Sequence, residues 1–208
     1  MNKPGRSADA VDSPGVDSLN GLVLIGGKSI RMGQDKSVLA YHNKPQREHL
    51  TDLLQACCNK VFWSVNGHQA AELADVEQPL IVDAFDNIVG PLNGILSAFQ
   101  AMPDAAWLVV ACDMPLLTAQ SIHALVIGRD PAKHATAFYD SDGRFPEPLL
   151  SIWEPSIWPI LQKAIAEGAY SPRRILMMND VHLLTAPNIR ELVNINDPAA
   201  KEALKHQQ

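Results

Sequence analysis

The chain reads as an α/β protein built on a three-layer, mostly parallel mononucleotide-binding sheet of Rossmann-like type, and three observations predict it. From Gly21 onward, short continuous apolar runs alternate with amphipathic stretches, the pattern of strands covered on both faces by helices. The first run, Leu22-Val23-Leu24-Ile25, empties into Gly26-Gly27-Lys28-Ser29-Ile30-Arg31-Met32-Gly33-Gln34-Asp35-Lys36, a loop rich in glycine and cations. Asp83 and Asp113 each follow a later apolar run. Three distant segments therefore converge beyond the carboxyl ends of the strands, where open α/β sheets hold their ligands.

Each element has a local reason. Residues 1–20 are rich in Ser, Asp, Pro and Gly with almost no large apolar side chains. Such a stretch cannot offset the entropy of ordering and is expected to be a flexible tail, leaving 21–208 as one domain. A strand at 22–25 is followed by an amphipathic helix at 46–57, then by strands at 61–65 and 80–82. Gly90-Pro91 places proline at the start of a helix reaching 102, because its missing N–H costs nothing in the first turn. A strand at 107–111 follows. Strands at 135–139 and 148–153 flank a polar loop at 140–144, which suits an antiparallel pair. Glu154-Pro155-Ser156 opens a helix to about 167. Ser171 is a good N-cap and Pro172 a good first residue for a short helix through 176. A strand at 181–184 precedes a terminal helix opened by Asp197-Pro198, and His68, after Asn66-Gly67, is expected in a loop.

Bulk composition narrows the function classes. With 208 residues, 47% of them hydrophobic, the chain can bury one sizeable core. A net charge of -6 argues against a nucleic-acid surface, which needs a basic face. No run approaches the roughly 18 apolar residues of a membrane span, and no hydrophobic signal core begins the chain, so a cytoplasmic protein with no membrane partner is expected. Cys57, Cys58 and Cys112 form no C-x-x-C pair and favour neither a disulfide framework nor a zinc site. The first two are expected to pack at a helix end and Cys112 to fill a strand end.

The loop after the first run has the chemistry of a triphosphate cradle. Glycines admit backbone amides close to an anion, and Arg31 and Lys36 bring positive charge. It is not a Walker A loop, since Leu22 stands where the first glycine is required, and it contains no G-x-G-x-x-G. Arg31 offers a planar fork for phosphate, or a partner for Asp35. Asp113 ends a buried apolar run, where a carboxylate without a partner is costly, so it complements a divalent cation or caps the helix or turn before Met114-Pro115. Asn194 and Asn196 alternate about Ile195, which puts both amides on one face of an extended segment, or they are turn amides ahead of the Asp197 cap.

Four segments in order, the loop 24–36, Asp83 with Gly90-Pro91-Leu92-Asn93-Gly94, Ala111-Cys112-Asp113-Met114-Pro115, and Val193-Asn194-Ile195-Asn196-Asp197-Pro198, resemble the signatures of nucleotidyltransferases. The loop follows the family pattern L-x-G-G-x-S-x-R-M-G-x-D-K, and within the group the chain is most similar to the molybdenum cofactor guanylyltransferases. That resemblance implies a nucleotide-diphospho-sugar transferase type of fold, GTP and the molybdopterin cofactor as substrates, Mg2+ as cofactor, and hand-over to molybdoenzyme maturation proteins. It implies that Lys36 and Arg31 contact phosphates, that Asp113 holds the metal, and that Leu24, Ile25, Gly26, Gly27 and Asp83 bind the nucleotide. Asn194 and Asn196 fall on the acceptor side. The family usually has alanine where Ile25 stands, and that side chain is expected to point into the sheet. Asp86 competes with Asp83. The family's asparagine after the second core strand aligns with Ser64, two residues before Asn66, and the choice between them is open. Gly90 to Gly94 is expected to be a wall of the site. The Gly26-Gly27 pair favours guanylyl over cytidylyl transfer. Nucleotidyl transfer to a sugar phosphate, and a non-catalytic nucleotide-binding protein on the same fold, also stay open.

Overall fold

The computed structural model describes residues 19–25, 37 and 43–193. In chain order these form β1 (Leu19–Leu24), α1 (Gln46–Gln55), β2 (Val61–Val65), α2 (Gly67–Glu72), β3 (Leu80–Val82), α3 (Pro91–Ala101), β4 (Ala106–Ala111), α4 (Ala119–Ile127), β5 (Ala135–Tyr139), β6 (Pro146–Trp153), α5 (Trp158–Ala166), α6 (Pro172–Met177) and β7 (Val181–Leu184). Short 3-10 turns occupy Pro155–Ile157 and Ile189–Leu192. One seven-stranded sheet runs in the order β3-β2-β1-β4-β6-β5-β7. Every pairing is parallel except the two made by β6. The expected antiparallel pair at 135–153 is therefore β5 and β6, and β6 also runs antiparallel to β4.

Alternation along the strands sorts the core into two layers. Val23 and Ile25 face one side with Trp63, Leu108 and Val110, packed under Leu50 and Leu54 of α1 and Ile122 and Leu125 of α4. Leu22 and Leu24 face the other with Phe62, Trp107 and Val109, covered by Leu92, Ile95, Leu96 and Phe99 of α3 and by Leu161, Ile175 and Leu176 of α5 and α6. Two of the buried indoles are paired inside these layers. The Trp63 indole N–H donates to Thr51 Oγ1 at 2.8 Å, and the Trp153 indole N–H to Ser151 Oγ at 2.8 Å.

Three local expectations are corrected. β1 starts at Leu19, because Leu19 and Asn20 pair with Ala106 and Trp107, so cross-strand pairing extends the strand into residues that composition assigns to the tail. His68 lies in a helix, α2. Asn66 and Gln69 form a reciprocal capping box there, with Gln69 N–H to Asn66 Oδ1 at 2.9 Å and Asn66 N–H to Gln69 Oε1 at 3.1 Å, which offsets the weak propensity of Gly67. α4 fills a stretch with no expected element. Its apolar positions Ile122 and Leu125, three apart, are buried, a period short enough to be overlooked beside the longer helices. Elsewhere the boundaries agree closely, and Ser171 caps α6 by accepting from Arg174 N–H at 3.3 Å. The tail 1–18 and the Asp197-Pro198 helix lie outside the described residues.

Candidate active site

Register brings the chemistry to one edge. Leu24 of β1 pairs with Ser64 of β2 and Ala111 of β4, and Ser64 pairs with Ile81 of β3. Counting two residues on from Ser64, Ile81 and Ala111 gives Asn66, Asp83 and Asp113, one row at the carboxyl end of four parallel strands. Strand spacing sets Asp83 and Asp113, three strands apart, at roughly 14 Å. That span suits a nucleotide laid across the strand ends.

At the β3 side of this edge is a cleft of about 390 Å³, bordered by Leu24, Ser64, Asn66, Asp83, Phe85 and the Gly90-Pro91 turn among others. Ser64 is 3% exposed yet borders it. α3 comes this close to the sheet only because Gly94 has no side chain. A Cβ there would overlap the Ser64 hydroxyl and approach Leu24 Cδ2 to 2.9 Å. Gly90, the N-cap of α3, has φ 97°, a left-handed conformation that glycine adopts without strain. Pro91 is the first helical residue, as expected, so Gly90 to Gly94 is indeed a wall of the cleft.

The two candidates after β2 play different parts. Asn66 spends its side-chain oxygen on capping α2, whereas Ser64 spends its position on the close approach of α3; both border the cleft. Gln69, the third residue of α2, also donates its Nε2 to the Ile25 carbonyl at 3.2 Å. That bond holds the end of β1 where the chain enters residues 26–36. Ile25 itself is 5% exposed and packs into the α1 side of the core, so its bulk points away from the cleft, as expected.

Asp83 and Asp86 both border the cleft. Asp83 is the more constrained, since its N–H donates to the Val65 carbonyl at 2.8 Å and extends the β2–β3 ladder. Burial pushes its carboxyl up to about 6, because a charge at a half-buried apolar strand end loses hydration. Asp86 is exposed in the following turn.

Asp113 stands at the end of β4, half-buried, outside the residues that border the cleft. Gln46 at the start of α1 donates its Nε2 to the Met114 carbonyl at 3.2 Å and fixes the turn that carries Asp113. A second group of charges shares this edge, because β6 starts where β5 ends. Arg173 of α6 bridges Asp140 (Nη1 to Oδ2, 3.2 Å) and Glu147 (Nη2 to Oε2, 3.5 Å). Burial pushes the Glu147 carboxyl up, and the negative charges of Asp113 and Asp140 add to it, against the Leu149 amide and Arg173. Asp140 is also raised by burial, but the amides of Arg144 and Phe145 and the Arg173 charge outweigh it and bring its pKa down. The negative field at Asp113 and its hard oxygen donors suit a magnesium-like cation, which takes one or two carboxylates and completes its shell with water and substrate. Among the described residues no three histidine, cysteine or carboxylate side chains converge on one point.

Of the residues expected in the site, Leu24, Ile25, Asp83 and Asp113 are thus brought to one edge. Gly26, Gly27, Arg31, Lys36, Asn194 and Asn196 lie outside the described residues. Glu147 and Arg173 were not anticipated. Glu147 sits in the mostly apolar Pro146–Trp153 strand, and a lone carboxylate there was the signal that could have found it. Cys57 and Cys58 lie half-buried just past α1 against the core, as expected, and Cys112 is buried. No helix among the described residues is long and apolar enough to cross a membrane.

The sequence matches the family described as MobA-like NTP transferase domain over residues 21–183. It is 35% identical over 198 residues to a molybdenum cofactor biosynthesis bifunctional protein of Synechocystis, covering 95% of this chain and 56% of that protein. The chain therefore spans just over half of that relative. It is 32% identical over 193 residues to a molybdenum cofactor guanylyltransferase of Xanthomonas euvesicatoria, covering 90% of this chain and 94% of the relative. Among solved structures, molybdopterin-guanine dinucleotide biosynthesis protein A from Archaeoglobus fulgidus superposes with a TM-score of 0.73 at 22% identity, covering 91% of this chain and all of the other. That likeness carries the three-layer nucleotidyltransferase fold.

Proposed function

Because the chain belongs to the MobA-like NTP transferase family, and is a nucleotidyltransferase, we propose that it transfers GMP from GTP to the molybdopterin cofactor with release of pyrophosphate. The observation that carries this reading is the row of Asn66, Asp83 and Asp113 at the carboxyl edge, with a cleft of nucleoside size at one end and a metal-suited carboxylate at the other.

In this reading the nucleoside lies against Leu24, Ser64 and the Gly90-Pro91 wall, and the Asp83 carboxylate accepts hydrogen bonds from it. The triphosphate crosses the end of β1 toward β4, where Gly26, Gly27, Arg31 and Lys36 meet it. A terminal phosphate oxygen of the acceptor attacks the α-phosphorus. One P–O bond forms, the bond to the bridging oxygen of the β-phosphate breaks, and pyrophosphate leaves with that electron pair. Two polyanions must meet, so positioning and charge neutralisation are most of the task. Lys36 stabilises the leaving group, and Asn194 and Asn196 orient the acceptor. Mg2+ held by Asp113 would neutralise phosphate oxygens when bound. Cytoplasmic location and hand-over of the product to molybdoenzyme maturation proteins complete the reading.

The test is magnesium-dependent pyrophosphate release from purified protein mixed with each of the four ribonucleoside triphosphates and either molybdopterin or a sugar phosphate. Release with GTP alone supports the reading. Release with CTP moves the protein to cytidylyl transfer, release only with a sugar phosphate moves the acceptor, and release with none leaves a nucleotide-binding protein.

A further inference from the structure

We propose that Asn93 is a positioning residue for the nucleotide half of the site, holding the loop after β3, residues 84–88, so that Asp83 and Phe85 face the cleft. The proposal rests on the reading of Asp83 as a nucleotide-binding residue.

Asn93 lies in the first turn of α3 and is 4% exposed. Its side-chain amide is given over to the loop. Nδ2 donates to the carbonyls of Phe85 (2.8 Å) and Ile88 (2.9 Å), and Oδ1 accepts from Phe85 N–H (3.3 Å). One turn on, Ser97 Oγ accepts from Ala84 N–H at 2.9 Å. The same hydroxyl donates back to the Asn93 carbonyl (2.8 Å) and lies 3.2 Å from Asn93 Oδ1. Past the last strand-paired residue, the backbone of 84, 85 and 88 is thus satisfied by two side chains of one helix. Such groups would otherwise be left to solvent or unpaired.

The chemistry at position 93 is narrow. An aspartate would keep the acceptor but lose both donors, an alanine would lose everything, and a glutamine would be one methylene too long. The helix that carries Asn93 is itself seated by Gly94 against Ser64 and Leu24, and both of these border the cleft. Asn93 therefore fixes the loop relative to the opposite wall of the same cleft. Asp83, directly before residue 84, is held by β2 on one side and by this loop on the other.

The test compares GTP affinity by calorimetry, steady-state constants and thermal melting for Asn93→Ala, Ser97→Ala, Asp83→Asn and Asp83→Asn/Asn93→Ala. Losing buried hydrogen bonds that act through the loop should weaken GTP binding by about tenfold in Asn93→Ala and less in Ser97→Ala. KM for the acceptor should change by less than about twofold, since only one end of the site moves. Adding Asn93→Ala to Asp83→Asn should cost little more GTP affinity, as coupled residues are not additive. Should Asn93→Ala fail to fold, Ser97→Ala and its combination with Asp83→Asn make the same comparison. Unchanged GTP affinity in folded Asn93→Ala and Ser97→Ala, or full additivity with Asp83→Asn, overturns the proposal while leaving Asp83 in place. Unchanged affinity in Asp83→Asn overturns the nucleotide reading of Asp83, and the proposal with it.

Discussion

At the residue scale, the two carboxylates of one row make different predictions. In the proposed function Asp113, beside Glu147 and Asp140 at the carboxyl edge, holds the metal, and its worth lies in turnover. Asp113→Ala should abolish transfer while leaving the far-ultraviolet circular dichroism and melting temperature near those of the parent, and normal magnesium-dependent turnover would contradict its role. Asp83 carries a pKa of about 6, raised from 3.8 by burial. A group whose folded pKa is raised contributes stability below its unfolded pKa, and that contribution is lost as pH rises through about 6. Asp83→Asn should therefore melt higher than the parent at pH 8 and close to it at pH 4. For ligand binding the sign reverses. If the ionised carboxylate accepts from the nucleoside, GTP affinity should fall as pH drops through about 6, and Asp83→Asn should lack that component of the profile in calorimetry. The aspartates were legible because each ends an apolar run, a place where a charge needs a reason. Glu147 was less so, since its reason, the Arg173 bridge and the nearness of Asp113, comes from elements far away in sequence.

At the element scale, the site depends on how closely helices approach the strand ends. Gly94 lets α3 lie against Ser64 and Leu24, and overpacking at such a contact costs about 1–3 kcal/mol. Gly94→Ala should lower the melting temperature and weaken GTP binding together. A control sits at the other end of the sheet, where Arg129, after α4, makes a bidentate pair with Glu154, after β6, at 2.7 and 2.8 Å. Their side chains are 9% and 3% exposed. Breaking a buried pair by removing one partner costs about 3–5 kcal/mol. Arg129→Ala should thus destabilise the fold, measured by urea unfolding, yet leave KM for GTP unchanged in the folded fraction. A shift in KM would mean that the two edges of the sheet communicate. The strands and α1, α3 and α6 were legible from apolar runs and from the caps Gly90-Pro91 and Ser171-Pro172. α2 and α4 were not, because their signals are local hydrogen bonds and a short period, such as the Asn66 and Gln69 pair, rather than a long amphipathic stripe.

At the scale of the whole molecule, parallel connection is what turns separated motifs into one site. Crossovers return β1, β2, β3 and β4 in the same direction, so residues 25, 66, 83 and 113 meet at one edge though they are far apart in the chain. That convergence was readable from the alternating pattern alone, since a parallel sheet has only one carboxyl edge. The sheet order was not readable, because the antiparallel insertion of β6 between β4 and β5 is a pairing decision made by buried faces such as those of Leu150, Ile152 and Trp153. The central claim is that a nucleoside sits at the β3 end of this edge and its phosphates reach toward β4. The most direct measurement is the position of a non-hydrolysable GTP analogue bound with Mg2+ in a crystal of this protein. The account predicts guanosine in the cleft between Asp83 and Gly90-Pro91, with the phosphates and the metal on the Asp113 side. A nucleotide bound away from that edge, or a metal held without Asp113, would contradict it.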